Sequence, residues 1–175
     1  NIIAPLLQDS FNKIMIKNKN LELKIIKKTI TQTSYKDLID KYFSNLDETK
    51  ARYKKITFLT PTTYKSSGDY QNMPNLSSLF INIYNKWNSF CPEFPLEDDN
   101  VIKILLDNSK IQSYQLKSVS FDMEGIKINS FIGNMSIKFN CAKEIAVIGH
   151  ILLDFATFAG IGAKTTLSMG GMKID

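Results

Sequence analysis

Two long alternating runs in the second half of the chain constrain its fold more than any other feature. Gln112–Met123 alternates Val119, Phe121 and Met123 with polar neighbours, Glu124-Gly125 offers a tight turn, and Ile126–Phe139 returns through Ile126, Ile128, Phe131, Gly133, Met135, Ile137 and Phe139. A period of two puts successive side chains on opposite faces. The pair therefore predicts an antiparallel hairpin with one buried face. The apolar phase changes at Ser130-Phe131, which predicts a bulge there.

The flanking segments complete a pattern. Arg52–Leu59 reads as a strand ended by Pro61, and residues 60–74 as a long loop. Asn75 can cap a helix over Leu76–Phe90, which Pro92 and Pro95 stop; Asp98 or Asp99 opens a short helix through Leu106. Ala142–Ala159 is the clearest helix, and Ala163–Ile174 reads as a final strand. The order β-α-(α)-β-β-α-β predicts an α+β, ferredoxin-like fold of the kind shared with RNA-recognition domains. Topology alone does not assign a function.

The first 45 residues read differently. Ile2–Phe11 has the spacing of a helix end, and strands over Lys13–Ile16 and Leu21–Ile30 are joined by Lys17-Asn18-Lys19-Asn20. Thr33 or Ser34 can cap a helix over Tyr35–Phe43, and Asn45–Lys50 reads as a linker. Two tandem modules are expected: 1–45 as the end of a first ferredoxin-like domain, and 46–175 as a complete second one.

Charge is concentrated in the same region. Residues 13–55 hold twelve basic and five acidic groups, a surplus of seven that exceeds the whole-chain charge of +5. Such a segment suits a polyanion, although a solvated basic face gives the same count. One histidine and two cysteines without a CxxC cannot assemble a usual zinc site. No metal or other cofactor is expected. The most apolar stretch, Ile145–Phe158, is broken by His150 and Asp154 and is too short to span a membrane. A cytoplasmic location is the expectation.

The most informative chemistry lies in Phe158-Ala159-Gly160-Ile161-Gly162-Ala163-Lys164-Thr165-Thr166-Leu167-Ser168-Met169-Gly170-Gly171-Met172-Lys173-Ile174. Glycines let a backbone approach a phosphate, which N–H groups, Lys164 and Thr165 can then bind. A Walker A loop is excluded, because Ala163 stands where Gly must precede Lys-Thr and the segment follows a helix. A dinucleotide fingerprint would need Gly at Thr165.

This segment resembles the C-terminal signature of the Cas-six CRISPR endoribonucleases, approximately F-x-G-I-G-x-K-T-x-x-G-M-G-G, with Ser168 in place of a common Gly. Lys55–Lys65 with its Thr-Pro-Thr, Lys86-Trp87-Asn88-Ser89-Phe90 and Gly133 resemble other parts of that family, so the likeness covers residues 46–175 nearly throughout. The resemblance implies binding of a CRISPR repeat in precursor RNA and one cut per repeat without metal. The 2′-OH attacks the neighbouring phosphate and leaves a 2′,3′-cyclic phosphate, so a general base, an acid and charge stabilisation suffice. It also implies a base in the first domain, expected upstream of Asn1.

His150 is the fallback catalyst. On a helical wheel it falls with Lys143, Asp154 and Thr157, opposite Ile148, Leu152, Phe155 and Ala159, which predicts a surface residue. The expected RNA contacts are Lys54, Lys55, Lys65, Gly160, Gly162, Lys164, Thr165, Gly170 and Gly171, with Lys164 foremost. Tyr64 and Tyr70 are candidate stacking platforms, whereas Tyr84, Trp87 and Phe90 read as core. Two rival readings are an RNA-binding module that does not cut, and a structural subunit assembled with other proteins of a CRISPR effector complex. Homo-oligomerisation is left open.

Overall fold

The structure is a computed structural model that describes residues 13–16, 19–27, 29–43, 47–66, 68–123 and 125–175. The expected helix over Ile2–Phe11, the residues Lys17 and Asn18, and Glu124 of the turn lie outside them. Contacts divide the chain into two units, residues 1–33 and 34–175. In the first, β1 (Lys13–Ile16) and β2 (Leu21–Lys24) pair antiparallel with Lys13 opposite Lys24. The second strand ends at Lys24 and does not run on to Ile30. Lys13 is ion-paired with Glu22 at 2.7 Å.

The second unit begins with α1 (Tyr35–Phe43), so that helix belongs with the residues C-terminal to it and not with the strand pair before it. Its start is a reciprocal cap: the Ser34 hydroxyl accepts from Asp37 N–H, and the Asp37 carboxylate accepts from Ser34 N–H. The expected linker holds instead a short helix, α2 (Glu48–Ala51), because the Asp47 carboxylate accepts from Thr49 N–H.

A four-stranded antiparallel sheet forms the centre of this unit, built from β3 (Tyr53–Thr62), β6 (Ser109–Met123), β7 (Ile126–Phe139) and β8 (Met172–Ile174) in the order β6-β7-β3-β8. Numbered within the motif, that order is 2-3-1-4, the ferredoxin-like arrangement, and the fold class is α+β as expected. The connecting helices are α3 (Leu76–Phe90), α4 (Asp99–Asp107) and α5 (Lys143–Ala159). Asn75 caps α3 by accepting from Ser78 N–H at 2.9 Å.

Four expectations fail. Pro61 does not end β3, which runs to Thr62 with a register shift between Phe58 and Thr62. The irregularity near Ser130-Phe131 thus sits on the partner strand, while the β6–β7 ladder continues unshifted there. The long loop contains a hairpin, β4 (Tyr64–Ser66) with β5 (Asp69–Gln71), turned by Gly68 at φ 92°. The final strand is only Met172–Ile174, because four residues between Gly162 and Gly170 take positive φ, which no strand accommodates.

The core lies between the sheet and α3 and α5. Ile56, Phe58, Met135, Ile137 and Phe139 meet Leu79, Phe80, Ile83, Trp87, Leu152 and Phe155, all at most 5 % exposed. Trp87 and Phe155 pack edge to face at 5.3 Å. Each such side chain contributes about 1.5–3 kcal/mol by burial.

Candidate functional site

The glycine-rich segment folds into a loop clasped between α3 and the far end of β3. Gly160 closes α5 at φ 67°, with its N–H on Ala156 O. Ile161 N–H then binds Gly170 O, Gly170 N–H binds Pro61 O, and Gly171 N–H binds the Thr60 hydroxyl at 2.7 Å. Gly171 O accepts from Leu59 and Thr60 N–H. Gly162 N–H is held by the Asn82 carboxamide at 3.0 Å, and Ala163 N–H by Thr63 O. These amides, expected to cradle a phosphate, are spent inside the protein.

The glycines serve close approach. A Cβ on Gly162 would stand 2.3 Å from Thr63 O, and one on Gly170 1.8 Å from Ile161 O. Gly171 sits against Thr60, and Gly160 against Thr165. Of the nominated glycines, Gly162 and Gly170 are buried in this clasp.

What the loop presents outward is Lys164 and the single-turn 3-10 helix Thr165–Leu167. Lys164 is exposed and left-handed at φ 60°. Ser168, where the family pattern commonly has Gly, is also left-handed at φ 65°. Thr165 is half-buried. Beneath them Lys86 of α3 donates to Gly160 O at 2.9 Å, to Ala159 O at 3.3 Å and to the Thr165 hydroxyl at 3.5 Å. Burial among these oxygens pushes the Lys86 ammonium pKa down. Its charge stands at the C-terminus of α5, where the helix dipole favours a cation.

Beside the loop lies an open groove of about 380 Å³ between α3 and the β4–β5 hairpin. Tyr64, Lys65, Ser78, Asn82, Asn85 and Gly162 are among its walls. The structure therefore brings Lys65 and Gly162 together. Tyr64 is 3 % exposed and packs against Phe131, so it is not an open stacking platform, whereas Tyr70 is half-buried opposite Lys65. Phe90, expected in the core, is 62 % exposed.

Lys54 and Lys55 point to opposite faces of β3. Lys55 is exposed on the face away from the helices, 3.4 Å from Asp175, which Lys173 also pairs at 2.8 Å. Hydrogen bonds from Lys173 and Thr57 hold the Asp175 carboxyl down at about 2. Lys54 turns inward and donates to the Tyr42 hydroxyl at 2.8 Å, which donates to Asp154 at 2.7 Å. Burial lowers the Lys54 pKa to about 8. Lys41 closes the same cluster at 2.5 Å from Asp154.

His150 corrects the sequence expectation most sharply. It is not on the surface: it is 2 % exposed, between Tyr42 and Phe139 at ring distances of 5.5 and 5.3 Å. Its Nε2 lies 3.0 Å from Ala51 O, which can only accept, so Nε2 carries the proton. Burial lowers its pKa to about 4, and Nδ1 is buried without a partner. The helical wheel fails here because α5 is covered twice, by the sheet and by α1 and α2.

Asn82 and Lys86 anchor the loop, and neither stands out in the sequence as a functional residue. Ser78, Asn82 and Lys86 recur every four residues along the flank of the α3 core face, a polar stripe visible in the sequence. Among the described residues no group of three or more His, Cys, Asp or Glu side chains could hold a metal ion, and no helix is long and apolar enough to cross a membrane.

The sequence profile described as CRISPR-associated endoribonuclease Cas6 matches residues 56–172. A CRISPR-associated endoribonuclease Cas6 from Streptococcus thermophilus is 29 % identical over 154 residues, 88 % of this chain and 62 % of that protein. The solved Cas6 (TTHA0078) product complex superposes with a TM-score of 0.71 at 20 % identity, covering 82 % of this chain and 56 % of that one. Thermus thermophilus Cas6 (TTHB231) superposes at 0.68 with 21 % identity, covering 82 % and 58 %. The chain thus spans just over half to about three fifths of these relatives.

Proposed function

The chain belongs to the CRISPR-associated endoribonuclease Cas6 family, and from that premise we propose that it acts in CRISPR precursor RNA processing, binding repeat RNA and supporting one cut per repeat. The observation that carries this is the clasped glycine-rich loop. Its family-pattern glycines fix the loop on which Lys164 stands exposed, beside a groove rimmed by Lys65. An exposed ammonium on a fixed loop suits a backbone phosphate, and each such contact releases counterions. RNA contacts at Lys54 are disfavoured by its inward position, and Lys55 would have to exchange Asp175 for a phosphate.

The proposed chemistry is attack of the substrate's own 2′-OH on the adjacent phosphorus. The P–O5′ bond breaks, a 2′,3′-cyclic phosphate forms, and the proton lost from the 2′-OH is matched by one gained by the 5′-oxygen. Protein groups need only move those protons and balance the phosphorane charge. His150 is not assigned to this, because a buried imidazole cannot reach substrate. Incubation of the intact protein with repeat RNA in excess chelator tests the reading. Products carrying 2′,3′-cyclic phosphate and 5′-hydroxyl ends are expected; cleavage that returns only with magnesium would overturn it.

A second reading is that of a member that holds RNA without cutting it, for which the same loop and groove would serve unchanged. The same incubation separates the two, since tight binding with no product supports the non-cleaving role. Assembly with other Cas effector subunits belongs with that role.

A further inference from the structure

The groove between α3 and the β4–β5 hairpin has a composition that a phosphate contact does not explain. Its floor and one wall are Ser78, Asn82 and Asn85, which lie on one stripe of α3, with Ile81 beside them and 45 % exposed. The opposite wall is Tyr64 with Lys65 at the rim, and the Gly162-Ala163 backbone closes one side. Among the described residues only one cation lines it, the Asn85 carboxamide and the Ser78 hydroxyl make no hydrogen bond, and Asn82 uses only its oxygen, on Gly162 N–H. The Tyr64 hydroxyl is buried without a partner.

An anion would favour several donors of one sign. Carboxamides and hydroxyls instead offer donors and acceptors side by side, which match the edge of a neutral heterocycle bearing both. Ile81 supplies apolar surface for one of its faces, and Lys65 stands where an adjoining phosphate would lie. The volume of about 380 Å³ is at the small end for ligand sites. We propose that this groove takes the base of a single unpaired nucleotide of the bound RNA, with Asn85 and the free amide of Asn82 reading its edge. The proposal rests on the RNA-binding reading above.

The test uses the intact protein and repeat RNA in which each unpaired nucleotide is replaced, one at a time, by an abasic one. Wild type is compared with Asn85→Ala and Ser78→Ala, both on the exposed side of α3 and checked by thermal melts. One abasic position should weaken wild-type binding by about tenfold, and that penalty should shrink to about twofold or less in Asn85→Ala, while other positions affect both proteins equally. If RNA binds with normal salt dependence but no position couples to Asn85, the groove is not a base site and the RNA reading stands. If no salt-dependent RNA binding occurs, both fall together.

Discussion

At the scale of single residues, close backbone approach separates glycines that the clasp requires from those that only turn the chain. Gly162→Ala and Gly170→Ala would drive a Cβ into Thr63 O and Ile161 O at positive φ. Each is expected to lower stability by about 2 kcal/mol or more in denaturant melts. Gly125→Ala meets nothing within 4 Å at φ 85°, so only the left-handed penalty of about 1 kcal/mol applies. Ser168→Gly should leave stability level or raise it, since Ser168 already carries that left-handed penalty. A loss of about 1 kcal/mol or more at Ser168→Gly would contradict this reading of the loop. His150 gives a pH signature. Its folded pKa, about 4, lies below the ordinary 6.5, so between those values the unfolded chain binds a proton that the folded chain refuses. Stability should therefore fall as pH drops from 6.5 to 4, by up to about 1.4 kcal/mol per unit, and His150→Gln should remove that slope. The same variant, assayed below its melting temperature, should cleave RNA within a few-fold of wild type; a loss of about 10²-fold would restore His150 as a catalyst.

Among the elements, what can be read from the sequence depends on how local the cause is. The α3 boundaries and the Asn75 cap are legible because periodicity and a capping side chain lie within a few residues. The β6–β7 hairpin is legible from alternation alone. The tail reads falsely as a strand because its shape depends on partners more than 70 residues away, Asn82, Lys86 and the Thr60–Thr63 backbone. His150 misleads for the same reason: a wheel sees one apolar face, and only the packing of α1 and α2 covers the other. Among the nominated site residues, Lys65 and Gly162 line one groove and Lys164 is exposed on the adjoining loop, while Lys54 belongs to an internal cluster with Tyr42 and Asp154. Lys86 links two of these elements and yields a prediction. Lys86→Met removes the donors that hold Ala159 O and Gly160 O, so amide hydrogen exchange at Ile161, Gly162 and Ala163 should quicken and stability fall by about 1–2 kcal/mol. Lys86→Arg should restore most of both. Unchanged exchange in Lys86→Met would show that the loop holds itself without Lys86.

For the molecule as a whole, the excess of basic residues before position 56 is less available than the count suggests. Lys13, Lys36 and Lys41 are ion-paired and Lys54 faces inward. RNA affinity is therefore expected to rest on the second unit's glycine-rich loop and its groove, with Lys164 as the exposed cation of that surface. A salt titration of repeat RNA binding tests this most directly, comparing the intact wild-type protein with Lys164→Ala and using thermal melts to confirm equal folding. Lys164→Ala should weaken binding by about 1–2 kcal/mol at low salt and reduce the slope of log K against log salt by about 0.7–0.9, the share of one phosphate contact. Equal affinity and equal slope, with equal melts, would contradict the claim that this loop is where the protein meets RNA.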